Sequence, residues 1–478
     1  MNHLSSETFG ENAKAALADS HLRGALKNAT SLFGERRKAA AASLPNWEDL
    51  RSEARAIKDD VLSHLDRYLE EFVGNAESRG AKIHWARDAA EANSIICDLA
   101  AESNARIVVK SKSMTTEETH LNAALEAAGM QVVETDLGEY IIQLADEPPS
   151  HIIAPAIHKT RGQIAELFNA ELGMPLTDDV ARLTSTARAT LRDRFAAADV
   201  GISGVNFAIA ETGTIVIVEN EGNIRLTTSL PRIHIAVMGI EKVLPRFADL
   251  DVFLKLLPRS GTGQRLTTYQ SYITGTKRQA GDEGPEELHI VLLDNGRSRM
   301  LAHPVTRQSL ACIRCGACLN ACPVYQQVGG HAYGSVYPGP IGAVITPQLM
   351  GIEKSAQLPY ASSLCGACRE VCPVKIDIPR LLLHLRGEIT ENAPPAKGRR
   401  GERYAFKIWR STMKRQWLYE LSARVGRIFQ GLVVKNGSIG KVKGIPPLSA
   451  WTGGRDLRPI ERESFRELWR KELAHKKN

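Results

Sequence analysis

The 478-residue sequence predicts an α/β domain with a largely parallel sheet, followed by a helical cysteine-rich module and a basic C-terminal extension. Three observations support this prediction. Short apolar strands alternate with helical segments from about residue 106 to residue 300, which is the pattern of a parallel sheet covered by helices. Seven of the eight cysteines lie between residues 312 and 372. Residues 391–478 carry 21 Lys and Arg against 8 Asp and Glu.

The N-terminal region, residues 1–84, is predicted to be helical because its apolar positions recur at three- and four-residue spacing. It lacks the basic and apolar segments of a secretory signal, and the chain has no apolar run long enough to span a membrane. Cysteines concentrated in one short stretch favour a reducing compartment over a disulfide framework. We therefore expect a cytoplasmic protein, with the remaining Cys97 in a hydrophobic core.

Residues 85–300 form the predicted α/β domain. Strands are expected at 106–110, 130–134 and 151–155, and ligands of such sheets bind beyond the carboxyl ends of the strands. Lys110, Lys112 and Glu134 fall at such ends. Lys112 is a candidate for holding an anion, and the alternative is a solvated loop charge.

Further strands are predicted on both sides of a turn at 211–213, at 230–237 and at 289–293, with a helix starting at Gly239. Polar residues gather at the turns and are candidates for lining a pocket, although each is also a common turn former: Asn206, Glu211, Thr212 and Asn223.

The first cysteine run reads Cys312-x2-Cys315-x2-Cys318-x3-Cys322-Pro323. This is the spacing of bacterial-type ferredoxins, in which three thiolates hold one [4Fe–4S] cluster and the fourth binds the other cluster. Structural zinc sites usually present separated cysteine pairs instead. We therefore predict a module with two iron–sulfur clusters at residues 301–390.

The second run, Cys365-x2-Cys368-x3-Cys372-Pro373, has Ser362 where the ferredoxin spacing would place a cysteine. If the fourth cysteine of each run binds the other cluster, one cluster is held by Cys312, Cys315, Cys318 and Cys372. The second is held by Cys322, Cys365 and Cys368 and lacks a fourth thiolate. It is either a [3Fe–4S] cluster or a cube completed by Ser362, water or a group of a partner.

Between the two runs, the glycine- and proline-rich residues 329–343 predict an ordered irregular loop rather than a helix. His331, Tyr333 and Tyr337 in this loop are expected to shield the clusters, with an electron or substrate path as the alternative. A helix is expected from Ile378.

The basic extension, residues 391–478, begins with a predicted linker at 393–401. Basic helical segments with aromatic residues follow at 404–409 and 417–421, and a short helix starts at Ser464. Such charge suits an acidic partner, an anionic membrane surface or nucleic acid. Docking on a partner is favoured, peripheral membrane contact stays open, and no nucleic-acid partner is expected.

The chain resembles the lactate utilization protein B family of bacterial iron–sulfur proteins. The resemblance rests on Lys110-Ser-Lys-Ser-Met114, Glu134–Tyr140, Pro149-Ser-His-Ile152, Glu211-Thr-Gly-Thr214, Leu230–Ile235 and both cysteine runs with Tyr337–Gly342 between them. It implies that residues 85–300 are a lactate-utilization domain, similar in fold to NagB, RpiA and CoA-transferase-like domains. It also implies two [4Fe–4S] clusters and, as partners, lactate utilization proteins A and C.

From this resemblance we expect an electron-transfer subunit of a cytoplasmic complex that oxidises L-lactate to pyruvate. No dinucleotide-binding or flavin motif is present, so we expect a component of such a complex rather than a complete enzyme. No catalytic residue is assigned. The alternative is an α/β protein that binds a small anionic metabolite and whose clusters are structural or regulatory.

Overall fold

The computed structural model describes residues 5–279, 281–392, 399–435, 437–440, 442, 444, 449 and 452–473. The chain forms two compact units, Met1–Asn392 and Ala393–Asn478. The strands of the first unit are β1 (Ala81–Ala86), β2 (Ile107–Lys110), β3 (Gln131–Glu134), β4 (Val200–Gly204), β5 (Phe207–Ile209), β6 (Thr214–Glu219), β7 (Ile233–Gly239), β8 (Val243–Leu244), β9 (Tyr269–Ile273) and β10 (Glu287–Leu293).

The helices of the first unit surround these strands and build the cysteine module. They are α1 (Phe9–Ala18), α2 (Ser20–Ala42), α3 (Trp47–Ser63), α4 (Leu65–Ser78), α5 (Ala89–Glu102), α6 (Met114–Glu118), α7 (Leu121–Ala127), α8 (Leu137–Leu144), α9 (Arg161–Leu172), α10 (Val180–Ala196), α11 (Asn223–Ser229), α12 (Leu250–Gly261), α13 (Arg297–Ala302), α14 (Ala317–Asn320), α15 (Tyr325–Val328), α16 (Gly339–Met350), α17 (Ile352–Ser355), α18 (Ala367–Glu370) and α19 (Ile378–Asn392).

A six-stranded sheet forms the centre of the α/β domain. Its strand order is β1-β10-β7-β4-β2-β3, and every neighbouring pair is parallel. The central strand β7 is buried at every residue, as expected for a parallel sheet with helices on both faces. The predicted fold class, an α/β domain joined to a ferredoxin-type module, is confirmed.

A second, mixed sheet has the order β8-β5-β6-β9. Strands β5 and β6 are antiparallel and form the hairpin predicted around residues 211–213. Gly213 takes φ 67° in this turn. A side chain there would collide with the backbone of α4 at Asn75 and Ala76. The hairpin therefore fits closely against the N-terminal helices.

The N-terminal helices join the α/β domain to the cysteine module. Helix α4 packs on β1 and β8, whereas α2 packs on α12, α14 and α15. One hydrophobic core includes Leu26 of α2, Phe253 of α12 and Leu319 of α14. The cysteine module therefore shares its core with the rest of the first unit.

The predicted strand at 151–155 is wrong, because these residues form a turn. Nδ1 of His151 accepts the backbone N–H groups of Ile153 at 3.1 Å and Ala154 at 3.3 Å. A side chain that satisfies backbone donors locally competes with a strand ladder. The predicted helix from Gly239 is also absent, since β7 ends there and a 3-10 turn at Ile240–Lys242 leads into β8.

The predicted irregular loop at 329–343 is wrong for its last residues, where helix α16 begins at Gly339. Pro340 lies in the first helical turn, where its missing N–H and fixed φ are tolerated. Residues from Gly339 to Pro347 are all buried. Burial of this segment outweighs the poor helix propensity of its glycines and prolines. The prediction also missed β1, which begins within the segment expected to be helical.

The second unit contains the helices α20 (Arg399–Lys414) and α21 (Gln416–Phe429), so the predicted helical segments at 404–409 and 417–421 are confirmed. A short antiparallel ribbon pairs Val434–Lys435 with Ser438–Ile439. Residues 393–398 of the predicted linker lie outside the described residues, and the prediction is wrong for residues 399–401, which belong to α20. Within the described part of the chain, no helix is both long and apolar enough to cross a membrane.

Candidate functional site

The loop from Cys312 to Cys318 is shaped by two residues in the left-handed backbone region. Arg314 has φ 60° and Gly316 has φ 75°, and helix α14 starts directly after Gly316. The backbone N–H of Arg314 donates to Sγ of Cys312 at 3.4 Å. The loop therefore winds tightly around its cysteines.

The loop that begins at Ser362 repeats this geometry. Leu364 has φ 55° and Gly366 has φ 86°, and helix α18 starts directly after Gly366. The backbone N–H of Leu364 donates to Oγ of Ser362 at 3.1 Å. Ser362 thus occupies in the second loop the position that Cys312 occupies in the first.

Four cysteines line one cavity in the cysteine module: Cys312, Cys315, Cys318 and Cys372. They are the set that the ferredoxin spacing assigns to the first cluster. The other three are also near one another. Burial, together with the charges of Cys322 and Cys365, raises the pKa of Cys368 to about 12. Cys365 is exposed, whereas Cys322 and Cys368 are buried.

The surroundings of these cysteines fit an iron–sulfur cluster. The backbone N–H of Ile376 donates to Sγ of Cys372 at 3.3 Å, and backbone N–H groups also reach Cys322 and Cys365. Such N–H···S hydrogen bonds stabilise negative sulfur and tune cluster potential. Burial, with a smaller contribution from Cys312, raises the pKa of Cys372 to about 11 despite the hydrogen bond from Ile376, so thiolates at this depth require a cation. Iron supplies that charge and one-electron redox chemistry.

Arginines from the N-terminal helices surround the first set of cysteines. Nε of Arg51 donates to the carbonyl of Cys372 at 3.1 Å, and Arg37 donates to the carbonyl of Val371 at 3.1 Å. Positive charge near a cluster stabilises its reduced, more negative form. We therefore expect these arginines to raise the potential of a cluster bound here.

A cavity of about 250 Å³ lies at the edge of the parallel sheet. Its lining includes Lys112 beyond β2, Asp136 beyond β3, Asn206 beyond β4 and Lys242 beyond β7. The carboxyl ends of four parallel strands therefore meet at this cavity, as expected for a ligand site in an open α/β sheet. We call it the sheet-edge pocket.

The sheet-edge pocket adjoins the cysteine cavity. Arg314 and Cys315 line both spaces, so one loop separates them. Tyr337, in the glycine- and proline-rich segment 329–343, also lines the pocket. A small molecule in this pocket would lie beside a cysteine predicted to bind the first cluster.

A buried network of charges closes this end of the sheet-edge pocket. Arg297 donates to Glu241 at 2.7 Å and to both carboxylate oxygens of Glu118 at 2.9 and 2.8 Å. Tyr337 donates to Glu118 at 2.6 Å, and the guanidinium of Arg314 lies 4.6 Å from the centre of the Tyr337 ring. Burial would raise the pKa of Glu241, but Arg297 and Arg314 lower it to about 2. Glu241 is therefore ionised.

A second group of acidic residues in the pocket lining consists of Asp136, Glu219 and Glu221. Burial, followed by the charge of Asp136, raises the pKa of Glu221 to about 7. Glu219 accepts the backbone N–H groups of Ile224 and Arg225, both at 2.8 Å. Glu219 therefore holds the start of α11, whereas Glu221 can gain or lose a proton near neutral pH.

The structure separates the pocket candidates into two groups. Asn206 and Asn223 line the sheet-edge pocket together with Lys112. Glu211 accepts the N–H of Phe247 at 2.8 Å, and the hydroxyl of Thr212 donates to Thr214 at 2.8 Å. Neither Glu211 nor Thr212 is among the residues that line this pocket.

The other strand-end candidates are structural. Lys110 is fully buried and forms ion pairs with Glu117 at 2.6 Å and Glu134 at 2.7 Å. These contacts saturate its ammonium group inside the protein. Lys110 and Glu134 therefore form a buried ion pair that joins the ends of β2 and β3.

The three side chains expected over the clusters have different surroundings. Tyr333 is fully buried, and its pKa is raised by burial and by nearby cysteines, Cys322 foremost among them. Nε2 of His331 lies 2.8 Å from the carbonyl oxygen of Pro148. Tyr333 has the position expected of a shield, whereas Tyr337 belongs to the charge network beside the pocket.

Sequence reasoning did not single out six charged residues of the pocket lining: Asp136, Glu219, Glu221, Glu241, Lys242 and Arg314. Lys242 could have been found because it follows the apolar strand β7. The sequence analysis instead placed it in a helix predicted to start at Gly239. Arg314 lies between Cys312 and Cys315. The spacing of these cysteines predicts the path of the loop but not the surroundings of the Arg314 side chain.

Comparisons with known proteins find matching families over most of the chain from residue 69 onward. Residues 69–293 match the LUD domain, residues 308–376 a 4Fe-4S dicluster domain, and residues 385–474 the C-terminal domain of lactate utilisation protein B. The chain is 44% identical to "Lactate utilization protein B" of Shouchella clausii, covering 99% of both chains. It is 44% identical to the Bacillus pumilus protein of the same name, covering 98% of both. It is also 42% identical, over 99% of this chain and 98% of the other, to "Uncharacterized electron transport protein YkgF" of Escherichia coli.

Proposed function

This chain belongs to the lactate utilization protein B family of iron–sulfur proteins, and we propose that it is the electron-transfer subunit of a cytoplasmic complex that oxidises L-lactate to pyruvate. Lactate loses two electrons and two protons when it becomes pyruvate. We propose that the seven cysteines 312, 315, 318, 322, 365, 368 and 372 hold two clusters that receive these electrons one at a time. Lactate utilization proteins A and C are the proposed partners.

The observation that carries this proposal is the place of Cys315 between the sheet-edge pocket and the cysteine cavity. Electrons released from a small molecule in the pocket would have to cross one loop to reach the first cysteine set. The exposed Cys365 lies in the second set. Electrons would therefore leave through the second set, where the protein covers the site least.

The second unit supplies a surface for docking a partner. Helix α20 exposes Tyr404, Phe406 and Trp409, and its basic residues include Lys407 and Arg410. Exposed aromatic side chains beside basic ones are typical of protein interfaces. We propose that α20 binds an acidic surface of a partner subunit, with peripheral membrane contact as the other possible use of the same helix.

The experiment uses the full-length chain, purified anaerobically and combined with lactate utilization proteins A and C. Addition of L-lactate should reduce the clusters, which bleaches their visible absorbance and changes their EPR spectrum. The chain without its partners serves as one control and D-lactate as another. Clusters that stay oxidised with L-lactate and both partners, although dithionite reduces them, would contradict electron transfer. That result would favour the alternative, an α/β protein that binds a metabolite and has structural clusters.

Docking is tested separately with the double variant Lys407→Glu and Arg410→Glu. We expect it to lose most of its binding to the partner subunits in analytical ultracentrifugation, because the charges would now repel an acidic surface. Lys255→Glu, on α12 of the first unit, is the control. Unchanged binding by the double variant would rule out α20 as the docking helix.

A further inference from the structure

The cations at the Cys315 end of the sheet-edge pocket are not all satisfied by the protein. One nitrogen of the Arg314 guanidinium, NH1, is buried without a hydrogen-bond partner among the described residues. The Arg314 side chain is only 9% exposed, and its nearest carboxylate oxygen, on Glu241, is 3.7 Å away. A buried guanidinium nitrogen without an acceptor is unfavourable. An acceptor supplied by a ligand would remove that cost.

Lys242 points to the same missing acceptor. It lines the sheet-edge pocket beyond β7, and none of the hydrogen bonds among the described residues involves its ammonium group. Burial lowers the pKa of Lys242 to about 8 despite the opposing effect of Glu241. An anion bound beside it would restore the charge that burial disfavours.

The balance of charges at this end of the pocket also favours an anion. Lys58, Lys242, Arg297 and Arg314 are grouped with two carboxylates, Glu118 and Glu241, and with Cys312 of the first cysteine set. Arg297 is committed to both carboxylates, and Lys58 donates to the backbone carbonyl of Glu241 at 2.5 Å. Lys242 and Arg314 are the cations left to meet a ligand.

The size of the cavity limits the ligand. About 250 Å³ lies below the range of typical drug-sized sites, which begins near roughly 300 Å³. Apolar side chains, among them Ile152, Ile217 and Leu257, form part of the lining. A small organic molecule with one carboxylate and a short apolar body matches both features.

We propose that the sheet-edge pocket binds a small organic monocarboxylate, with its carboxylate group held between Lys242 and Arg314 next to Cys315. This inference rests on the proposed function only for the choice of probes, L-lactate and pyruvate. It assigns substrate binding to this subunit rather than to a partner.

The test measures binding of L-lactate and of pyruvate to the anaerobically purified full-length chain by isothermal titration calorimetry. L-lactamide, which has the shape of lactate without its charge, is the neutral probe. We expect lactamide to bind at least tenfold more weakly than lactate. We expect Lys242→Met to weaken lactate and pyruvate binding at least tenfold, and Lys242→Arg to retain most of it.

Lys255→Met is the matched control, because Lys255 lies on the surface of α12 paired with Asp251. Iron content and thermal unfolding of each variant establish that it is folded and loaded. Three results would each overturn the inference: no binding of either acid at millimolar concentration, equal binding of lactamide and lactate, or unchanged binding by Lys242→Met. A variant that changes only the cluster potential would show that these cations serve the cluster alone, which also overturns it.

The outcome is separable from that of the proposed function. Binding that depends on Lys242, together with clusters that L-lactate never reduces in the presence of both partners, would sustain this site and reject electron transfer. Cluster reduction in the complex without carboxylate binding to this chain would reject the site and place lactate on a partner subunit.

Discussion

Ser362 is the residue that distinguishes the second cysteine loop from the first. It accepts the N–H of Leu364 just as Cys312 accepts the N–H of Arg314, and the same left-handed positions follow in both loops. Serine oxygen is a harder and less acidic ligand than cysteine sulfur, so it binds iron more weakly. The second cluster is therefore expected to have one weakly held iron.

Replacing Ser362 by cysteine should supply the eighth thiolate without rebuilding the loop. We expect Ser362→Cys to give two oxidation-resistant [4Fe–4S] clusters, and Ser362→Ala to convert the second cluster to a [3Fe–4S] form on exposure to air. EPR spectra with iron and sulfide analysis distinguish these outcomes. Ser94→Ala, at an exposed position of α5, is the control. A spectrum of Ser362→Ala identical to that of the wild type would exclude the hydroxyl as a ligand.

Glu221 predicts a specific dependence of stability on pH. Burial and Asp136 raise its pKa to about 7, whereas an unfolded Glu titrates near about 4.3. The folded state thus binds the proton of Glu221 more tightly than the unfolded state does. The stability that protonated Glu221 contributes is fully present below about pH 4 and is lost as the pH rises through about 7. We expect Glu221→Gln to unfold at a higher temperature than the wild type at about pH 8, with the difference shrinking toward about pH 5.

Differential scanning fluorimetry of both proteins across this pH range measures the effect. Glu283→Gln, in an exposed loop, controls for the loss of a charge. A constant difference between Glu221→Gln and the wild type at every pH would contradict the raised pKa.

At the scale of elements, α16 illustrates how packing overrides composition. Its first turn contains two glycines and a proline, yet it is buried between the cysteine loops and α19. Gly342 explains why glycine is needed, because an added Cβ would overlap the carbonyl group of Tyr337. The backbone of the preceding segment therefore lies directly against the helix.

We expect Gly342→Ala to lower the free energy of unfolding of the loaded protein by about 1–3 kcal/mol, the usual cost of overpacking. Gly387→Ala in α19 is the matched control, because nothing lies within 4 Å of its added Cβ. It should stabilise the protein by about 0.5–1 kcal/mol through helix propensity. Denaturant titration under anaerobic conditions measures both. Equal effects of the two substitutions would contradict the close contact.

At the scale of the whole molecule, the cysteine module and the α/β domain depend on one core. Arg51 of α3 donates to carbonyl groups of Glu370 and Cys372, and the core residues of α2, α12 and α14 are contiguous. Loss of a cluster should therefore destabilise parts of the first unit beyond the cysteine loops.

We expect Cys315→Ser to lose the first cluster and to lower the melting temperature of the first unit, including its N-terminal helices. Iron analysis, EPR and hydrogen exchange followed by mass spectrometry check both effects. The control variant is Cys97→Ser. Cys97 is partly buried in α5 and belongs to neither cysteine run, so this variant should keep all its iron. If Cys315→Ser retains both clusters, the assignment of this cysteine is wrong.

The sequence by itself determined what depends on neighbours in the chain. The cysteine spacing identified the cluster module because each run brings its ligands within one or two turns of backbone. The alternation of strands and helices identified the parallel sheet because hydrophobic periodicity is local. The lysines at strand ends were found for the same reason, although sequence alone could not tell that Lys110 is buried in ion pairs whereas Lys112 lines the sheet-edge pocket.

Only the tertiary structure decided which distant groups meet. Cys372 joins Cys312 in one cavity across an insert that folds into α16. Nδ1 of His151 accepts the backbone N–H of Ile153, and its Nε2 lies 3.1 Å from Oδ1 of Asn320. The segment predicted as a strand is therefore a turn. The sheet-edge pocket joins Lys242 to Arg314 and Cys315 across more than seventy residues. Contacts at such separations are set by packing of whole elements, which no local pattern encodes.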